Sequence, residues 1–323
     1  MKEPTYQQAL SAGWQMVWHH KSLWVLGLLA AFLGQLGLGD FFGRLSMLYY
    51  QGTMSGSLEF FWQNTNLTMG TLNWYNILGL IWLVGLFILI IVVVIFLAVT
   101  SQGALISYAA SWYKSNKFSD LNKAWHKSVI HFWSMFKVIV MYKIIFCLLI
   151  LAGVALLRFA DTAMTGWANL LSGFILGIIM FFYLIFSIVY IYALGYIIID
   201  NNKATEAVKK AWALFSNHVL VSLEVALIMI FLNLILVVIG AVVLVLSLVP
   251  ATIIWVAAGI LKIGALATFG FLVGFFLWLL TIVLAVAVFN AFNTSVWTYL
   301  FIRMHKEGIV SRIIHHVGKL FHR

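Results

Sequence analysis

The chain predicts an all-α fold, a polytopic membrane helical bundle, on three observations. First, 64% of its 323 residues are hydrophobic and 9% are charged, with a mean hydropathy of +1.07. Soluble domains carry roughly 45–50% apolar and about 25% charged residues. Second, the apolar residues gather into runs long enough to cross a hydrocarbon core, which takes about 20 residues as a helix. Third, the basic residues fall on alternate connections between those runs. This pattern excludes an ordinary soluble domain and a disordered chain. It also makes the formal charge of +10 a sign of membrane topology rather than of nucleic-acid binding.

The elements follow in order. Tyr6, Ala9, Leu10, Gly13, Trp14 and Val17 recur at the spacing of one helical face, with Gln7, Gln8, Ser11 and Gln15 between them. A helix lying on the membrane surface is predicted there. It leads into a first apolar run at 22–39. Lys21 before an apolar core resembles a signal peptide, but the long amphipathic flank makes an uncleaved span the better reading. The second run is 77–100. Leu121, Ala124, Trp125, Ser128, Val129 and Phe132 then repeat the surface-helix spacing ahead of runs three (138–157) and four (174–199). Ala204, Ala207, Val208, Ala211, Trp212 and Phe215 repeat it again ahead of run five (219–249). Residues 251–261, after Pro250, are too short to cross and are read as surface-lying or re-entrant. Run six is 268–302. With only Pro4 and Pro250 in the chain, nothing interrupts long helices elsewhere.

Six runs place sixteen of the nineteen Lys and Arg, and all nine His, on the side of the N-terminus. The other side holds only Arg44, Arg158 and Lys262, balanced by Asp40, Glu59 and Asp161. By the positive-inside rule both termini are expected in the cytoplasm, in a bacterial inner membrane. A crossing at 251–261 would move the basic C-terminus outside, against that rule. The domain reading is one six-span membrane domain at 1–302 and a basic cytoplasmic tail at 303–323.

Each surface helix also carries small residues four apart: Ala9 and Gly13, Ala124 and Ser128, Ala207 and Ala211. Small residues at that spacing let another helix approach closely. Surface helix, outward span and returning span thus form a unit that occurs three times, a pseudo-threefold repeat with three amphipathic cytoplasmic interfacial helices. An anionic lipid surface attracts each nearby Lys or Arg by about 1 kcal/mol. Lys114, Lys117, Lys123 and Lys127, with Lys209 and Lys210, are therefore candidate contacts to a lipid headgroup or a protein partner. In the tail, Ile309, Ile313, Val317 and Leu320 form an apolar stripe opposite Arg312 and Lys319, which join the same set.

A six-span chain in which an interfacial A-x-x-x-small helix runs into a span resembles a known family. The closest segments are ATEAVKKAWALFSNH at 204–218 and residues 121–136. The resemblance is to the bacterial family named after the membrane part of glycerophosphoryl diester phosphodiesterase, over nearly the whole chain. It implies a fold and a membrane location. The soluble barrel that carries the phosphodiester chemistry in the full-length enzymes is not expected beyond Arg323, so no catalytic residue carries over.

The residues themselves offer little chemistry. Nine acids are scattered, and no His stands in an HExxH or HxxxH pattern with a carboxylate partner. Cys147, alone in an apolar run, has no disulfide partner. No phosphate loop, metal set or cofactor motif occurs. Polar residues inside spans are candidates by default: Glu224, Asn233, Asn290 and Asn293. The expected function is a non-enzymatic membrane protein that organises anionic lipid, a protein partner or further copies of itself. A permease-like bundle for a small or amphiphilic solute is the second reading. It requires Asn233, Glu224 and Asn290 to meet in one cavity. A membrane-embedded lipid-modifying enzyme is the third, and requires an acid–His or metal cluster assembled from distant segments.

Overall fold

Hydrocarbon offers backbone groups no hydrogen-bond partner, so a segment that crosses it must satisfy its own N–H and C=O groups, as a helix does. The computed structural model describes residues 5–33, 43–48, 74–115, 120–163 and 166–307, and among them helix is the only regular structure. The principal helices are α1 (Thr5–His19), α2 (Ser22–Ala31), α3 (Trp74–Ser115), α4 (Leu121–Ile130) and α5 (Phe132–Ala163), followed by α6 (Gly166–Asp200), α7 (Ala204–Asn217), α8 (Val219–Ser247), α9 (Val249–Leu261) and α10 (Gly264–Glu307).

Five stretches are long and apolar enough to cross a membrane: Leu78–Lys114, Phe132–Ala160, Gly166–Asp200, Val219–Leu261 and Gly264–His305. The protein is thus an all-helical, multi-pass membrane protein by length and composition. The first predicted run appears as α2, which has ten residues and is too short to cross alone; residues 34–39 of that run lie outside the described residues. The second and sixth runs exceed their predicted lengths. At 42 and 44 residues, α3 and α10 are about 63 and 66 Å long against a hydrocarbon core of ~30 Å.

Local sequence explains where helices begin and end. Asp120 is extended, and its side chain accepts the Asn122 N–H, which starts α4. Asn201 takes φ 56°, a left-handed conformation that Asn tolerates, and this ends α6. Lys210 Nζ donates to Asn202 Oδ1 at 2.9 Å and ties α7 to the same turn. Residues 251–261, for which the sequence allows a surface-lying or a re-entrant segment, form α9, which continues the apolar run of α8 past Pro250. A left-handed Lys262 then turns the chain back, and α9 pairs with α10. Gly270 lies against Ile254 and Gly274 against Ala251, the pattern of an antiparallel helical hairpin.

The packed core sits at one end of the long helices, the end that carries the lysines of α4 and α7. In α3 every residue from Leu78 to Phe96 except Val94 is exposed, whereas nearly all from Ala98 to Ala110 are buried. In α10 burial is concentrated between Ala287 and Met304. The short helices dock around this end. In α1, Gly13 abuts Val296 of α10, and Trp14 sits edge-on to Phe292. In α4, Ser128 Oγ donates to the Thr100 carbonyl of α3 at 2.7 Å. In α7, Ala207 and Ala211 are buried, and the helix packs mainly on α6.

Candidate functional site

Two sites emerge at the packed end. One is a basic crevice. It lies between the last turns of α3 (Ser107, Ser111, Lys114), the outer side of α4 (Lys123, Lys127) and the end of α6 (Ile198, Ile199), and has a volume of about 240 Å³. The small side chains of α4 create it. Ala124 and the buried Ser128 bring α4 against α3, where a Cβ on Gly103 would strike Ser128 and Met135. The i, i+4 spacing then sets Lys123 and Lys127 on one face, across from Lys114.

The electrostatics of the crevice favour an anion. Burial holds the Lys127 ammonium below its ordinary pKa, and the positive charge of Lys114 lowers it further; Asp200 acts weakly the other way. Like charges thus crowd one partly desolvated space. Asp200 itself lies 3.2 Å from His305 Nε2, and His305 Nδ1 lies 3.3 Å from the Tyr196 hydroxyl. The other predicted basic residues are not gathered here. Lys209 and Lys210 are exposed on α7. Lys117, Arg312 and Lys319 lie outside the described residues, as does the predicted tail from 308 to 323; the first five residues assigned to that tail, 303–307, belong to α10.

The second site is a polar cavity of about 60 Å³ between α2, α3, α6 and α10. Asn290, Asn293, Thr294 and Thr298 reach it from α10, Gln102 from α3 and Tyr190 from α6. Asn290 Nδ2 donates to the Gly27 carbonyl of α2 at 2.9 Å, and Gln102 Nε2 to Thr294 Oγ1 at 3.4 Å. Beyond Trp297 a smaller cavity of about 50 Å³ is lined by Asn233, Tyr183 and Ser187. Ile191 and Trp297 form part of both walls.

The permease reading requires Asn233, Glu224 and Asn290 in one cavity, and they do not share one. Asn290 lines the first cavity, Asn233 the second, and Glu224 neither. Sequence reasoning missed Gln102, Thr294 and Thr298. The signal was present: Asn290, Thr294 and Thr298 follow one another at intervals of four, which is one face of a helix. The six small packing residues are all buried. Among the described residues no three His, Cys, Asp or Glu side chains come close enough to hold a metal ion.

What fold and sites define together is a class: a multi-pass helical membrane protein with its packing, its basic crevice and its polar cavities at one end. No family model, no curated protein and no solved structure matches the chain.

Proposed function

We propose that this is a non-enzymatic integral membrane protein that holds anionic lipid headgroups at the inner face of a bacterial cytoplasmic membrane. One observation carries the reading: three lysines from two helices converge on a crevice whose other wall is apolar, at the edge of the helical bundle. A basic pocket between spans on the cytoplasmic side suits a lipid phosphate, with acyl chains running up the exposed helices. In this reading the basic end faces the cytoplasm, because sixteen of nineteen Lys and Arg group there once the 22–39 run counts as a sixth span. The three docked helices α1, α4 and α7 then form a threefold collar around the inner ends of the spans. Lys209, Lys210, Arg312 and Lys319 add a diffuse attraction to the same leaflet. The resemblance to the membrane part of glycerophosphoryl diester phosphodiesterase belongs with this proposal as a fold, without an activity. A protein partner would have to present a comparably anionic surface to the same lysines.

The test is native mass spectrometry of the purified protein with co-purified lipid. Phosphatidylglycerol or cardiolipin is expected to stay bound. Each lysine contributes about 1 kcal/mol to a nearby anionic lipid. Lys114→Gln, Lys123→Gln and Lys127→Gln combined should therefore weaken retention by roughly a hundredfold. Equal retention by the triple variant, or retention of zwitterionic lipid alone, removes the proposal. Solute flux in liposomes without retained lipid would favour the permease reading instead.

A further inference from the structure

The lysine crevice gathers more positive charge than one phosphodiester neutralises. Resting on the headgroup reading above, we infer that its preferred ligand is a phosphoryl group with two negative charges: the phosphomonoester or diphosphate head of a membrane lipid, ahead of the singly charged phosphodiester of an ordinary anionic lipid.

The first argument is charge. Lys114 on α3 and Lys123 and Lys127 on α4 line the crevice, and among the described residues no carboxylate lines it. The carboxylate that acts on Lys127 is Asp200, and its influence ranks behind burial and behind the positive charge of Lys114. Asp200 is also shared with another helix, since its Oδ2 lies 3.2 Å from His305 Nε2 on α10. The crowding of Lys114 on Lys127 is therefore left to the ligand to relieve. A phosphodiester brings one negative charge. A phosphomonoester brings about −1.5 to −2 at pH 7 and answers both ammonium groups at once. In a partly desolvated space that second charge counts for more than it would in water.

The donors and their access agree with the charge. A phosphomonoester presents three strong acceptor oxygens, one more than a phosphodiester has free. Lys123 and Lys127 stand one turn apart, with Cβ atoms about 5–6 Å from each other, and Lys114 reaches in from the facing helix. Three ammonium groups thus surround one tetrahedral centre. Ser111 Oγ already donates to the Tyr108 carbonyl at 2.8 Å, so Ser107 and the lysines are the donors that line the space. Lys114 and Lys123 are exposed and Lys127 is half-buried, so the cationic groups are open to a ligand rather than sealed in the core. A volume of about 240 Å³ admits a whole phosphoryl group with water around it.

The experiment uses the full-length protein in phosphatidylcholine nanodiscs that contain either phosphatidic acid or phosphatidylmethanol, its methyl ester, which differs by one methyl group and one charge. Native mass spectrometry counts the lipid retained. At about pH 8 phosphatidic acid is expected to be held roughly tenfold more tightly, the effect of one added charge-assisted hydrogen bond. At about pH 5 the monoester keeps a single charge and the preference should vanish. Any change of charge on His305, and through it on Asp200, acts on both lipids alike and cancels in their ratio. Lys127→Gln should bring the ratio towards one, Lys127→Arg should keep it, and Lys262→Gln should not alter it. Inorganic phosphate that displaces phosphatidic acid at millimolar concentration would keep the dianion chemistry and place its source in water. Equal retention of the two lipids by the unaltered protein at pH 8 needs no variant and overturns the inference while the headgroup reading stands. Retention of neither overturns both, and a preference that survives Lys127→Gln places the dianion outside the crevice and overturns the inference as well.

Discussion

The two halves of α3 belong to one continuous helix and behave oppositely. From Leu78 to Phe96 the helix is Leu, Ile, Val, Phe and Trp with Gly79 and Gly85, the most apolar stretch of the chain, and none of these residues is buried. From Ala98 to Ala110 it reads Ala-Val-Thr-Ser-Gln-Gly-Ala-Leu-Ile-Ser-Tyr-Ala-Ala, and nearly all of it is buried. The same contrast divides α10 at Ala287. Hydropathy therefore places a segment in the membrane but does not decide whether protein or lipid surrounds it. Lipid tails are as apolar as leucine, so helices gain little by trading one for the other. They pack where small side chains let backbones approach and where polar groups find partners, and both occur at the basic end.

The contrast is broken most sharply by glycine substitution. A Cβ on Gly27 would overlap the Ala287 carbonyl oxygen of α10 and crowd Ala291. That obstacle is backbone, which cannot swing aside. Gly27→Ala is expected to destabilise by about 1–3 kcal/mol, the usual range for overpacking. Gly85, in the exposed half of α3, has open space where a methyl group would stand, with nothing within 4 Å. Gly85→Ala should stabilise slightly, by roughly 0.5–1 kcal/mol, because Ala is the better helix former. Thermal inactivation followed by fluorescence-detected size exclusion reads both, and equal shifts would mean that the two halves are packed alike.

A hydroxyl pair tests the polar part of the same claim. Ser128 Oγ reaches from α4 to the Thr100 carbonyl of α3, and the residue is fully buried. Ser247 Oγ donates to the Leu244 carbonyl, one turn back on its own helix at the other end. Ser128→Ala should destabilise by about 1 kcal/mol, while Ser247→Ala should leave the melting midpoint unchanged. A loss at Ser247 as large as at Ser128 would show that tertiary hydrogen bonds are not what distinguishes the packed end.

Much of this is legible in the sequence, for physical reasons that also mark where legibility stops. Ala9, Gly13, Ala124, Ser128, Ala207 and Ala211 announce docking faces because close approach requires small side chains, and all six are buried. Lys114, Lys123 and Lys127 stand out by local charge density, and a turn of helix is enough to set two of them on one face. The polar cavity is only half visible. Asn290 and Asn293 stand out against apolar neighbours, but Gln102 is 192 positions from its partner Thr294, and no local pattern encodes that meeting. The end of the packed core is not visible at all, since Leu, Ile and Val face lipid as readily as protein.

The smallest effect concerns the charges at the two ends. Lys262 is exposed in the turn of the α9–α10 hairpin, away from the crevice. Lys127 sits in the crevice with its pKa lowered from 10.5, first by burial and then by Lys114. Without a bound anion, the native state holds its Lys127 proton less tightly than the unfolded chain does. Below the native pKa both states are protonated and the folded protein carries the penalty in full; as pH rises from there towards 10.5 the penalty is relieved and stability should increase. A bound phosphate reverses the sign, because it favours the charged ammonium, so anionic lipid should be released over the same alkaline range. Lys114→Gln removes one cause of the lowering and should move that release to higher pH. Lys262→Gln should leave both profiles unchanged. Lipid retention across that range, measured with phosphatidylglycerol nanodiscs, separates the crevice from ordinary surface charge: if retention falls only where an exposed lysine titrates, and Lys114→Gln does not move it, the crowding of Lys114 on Lys127 has no part in binding.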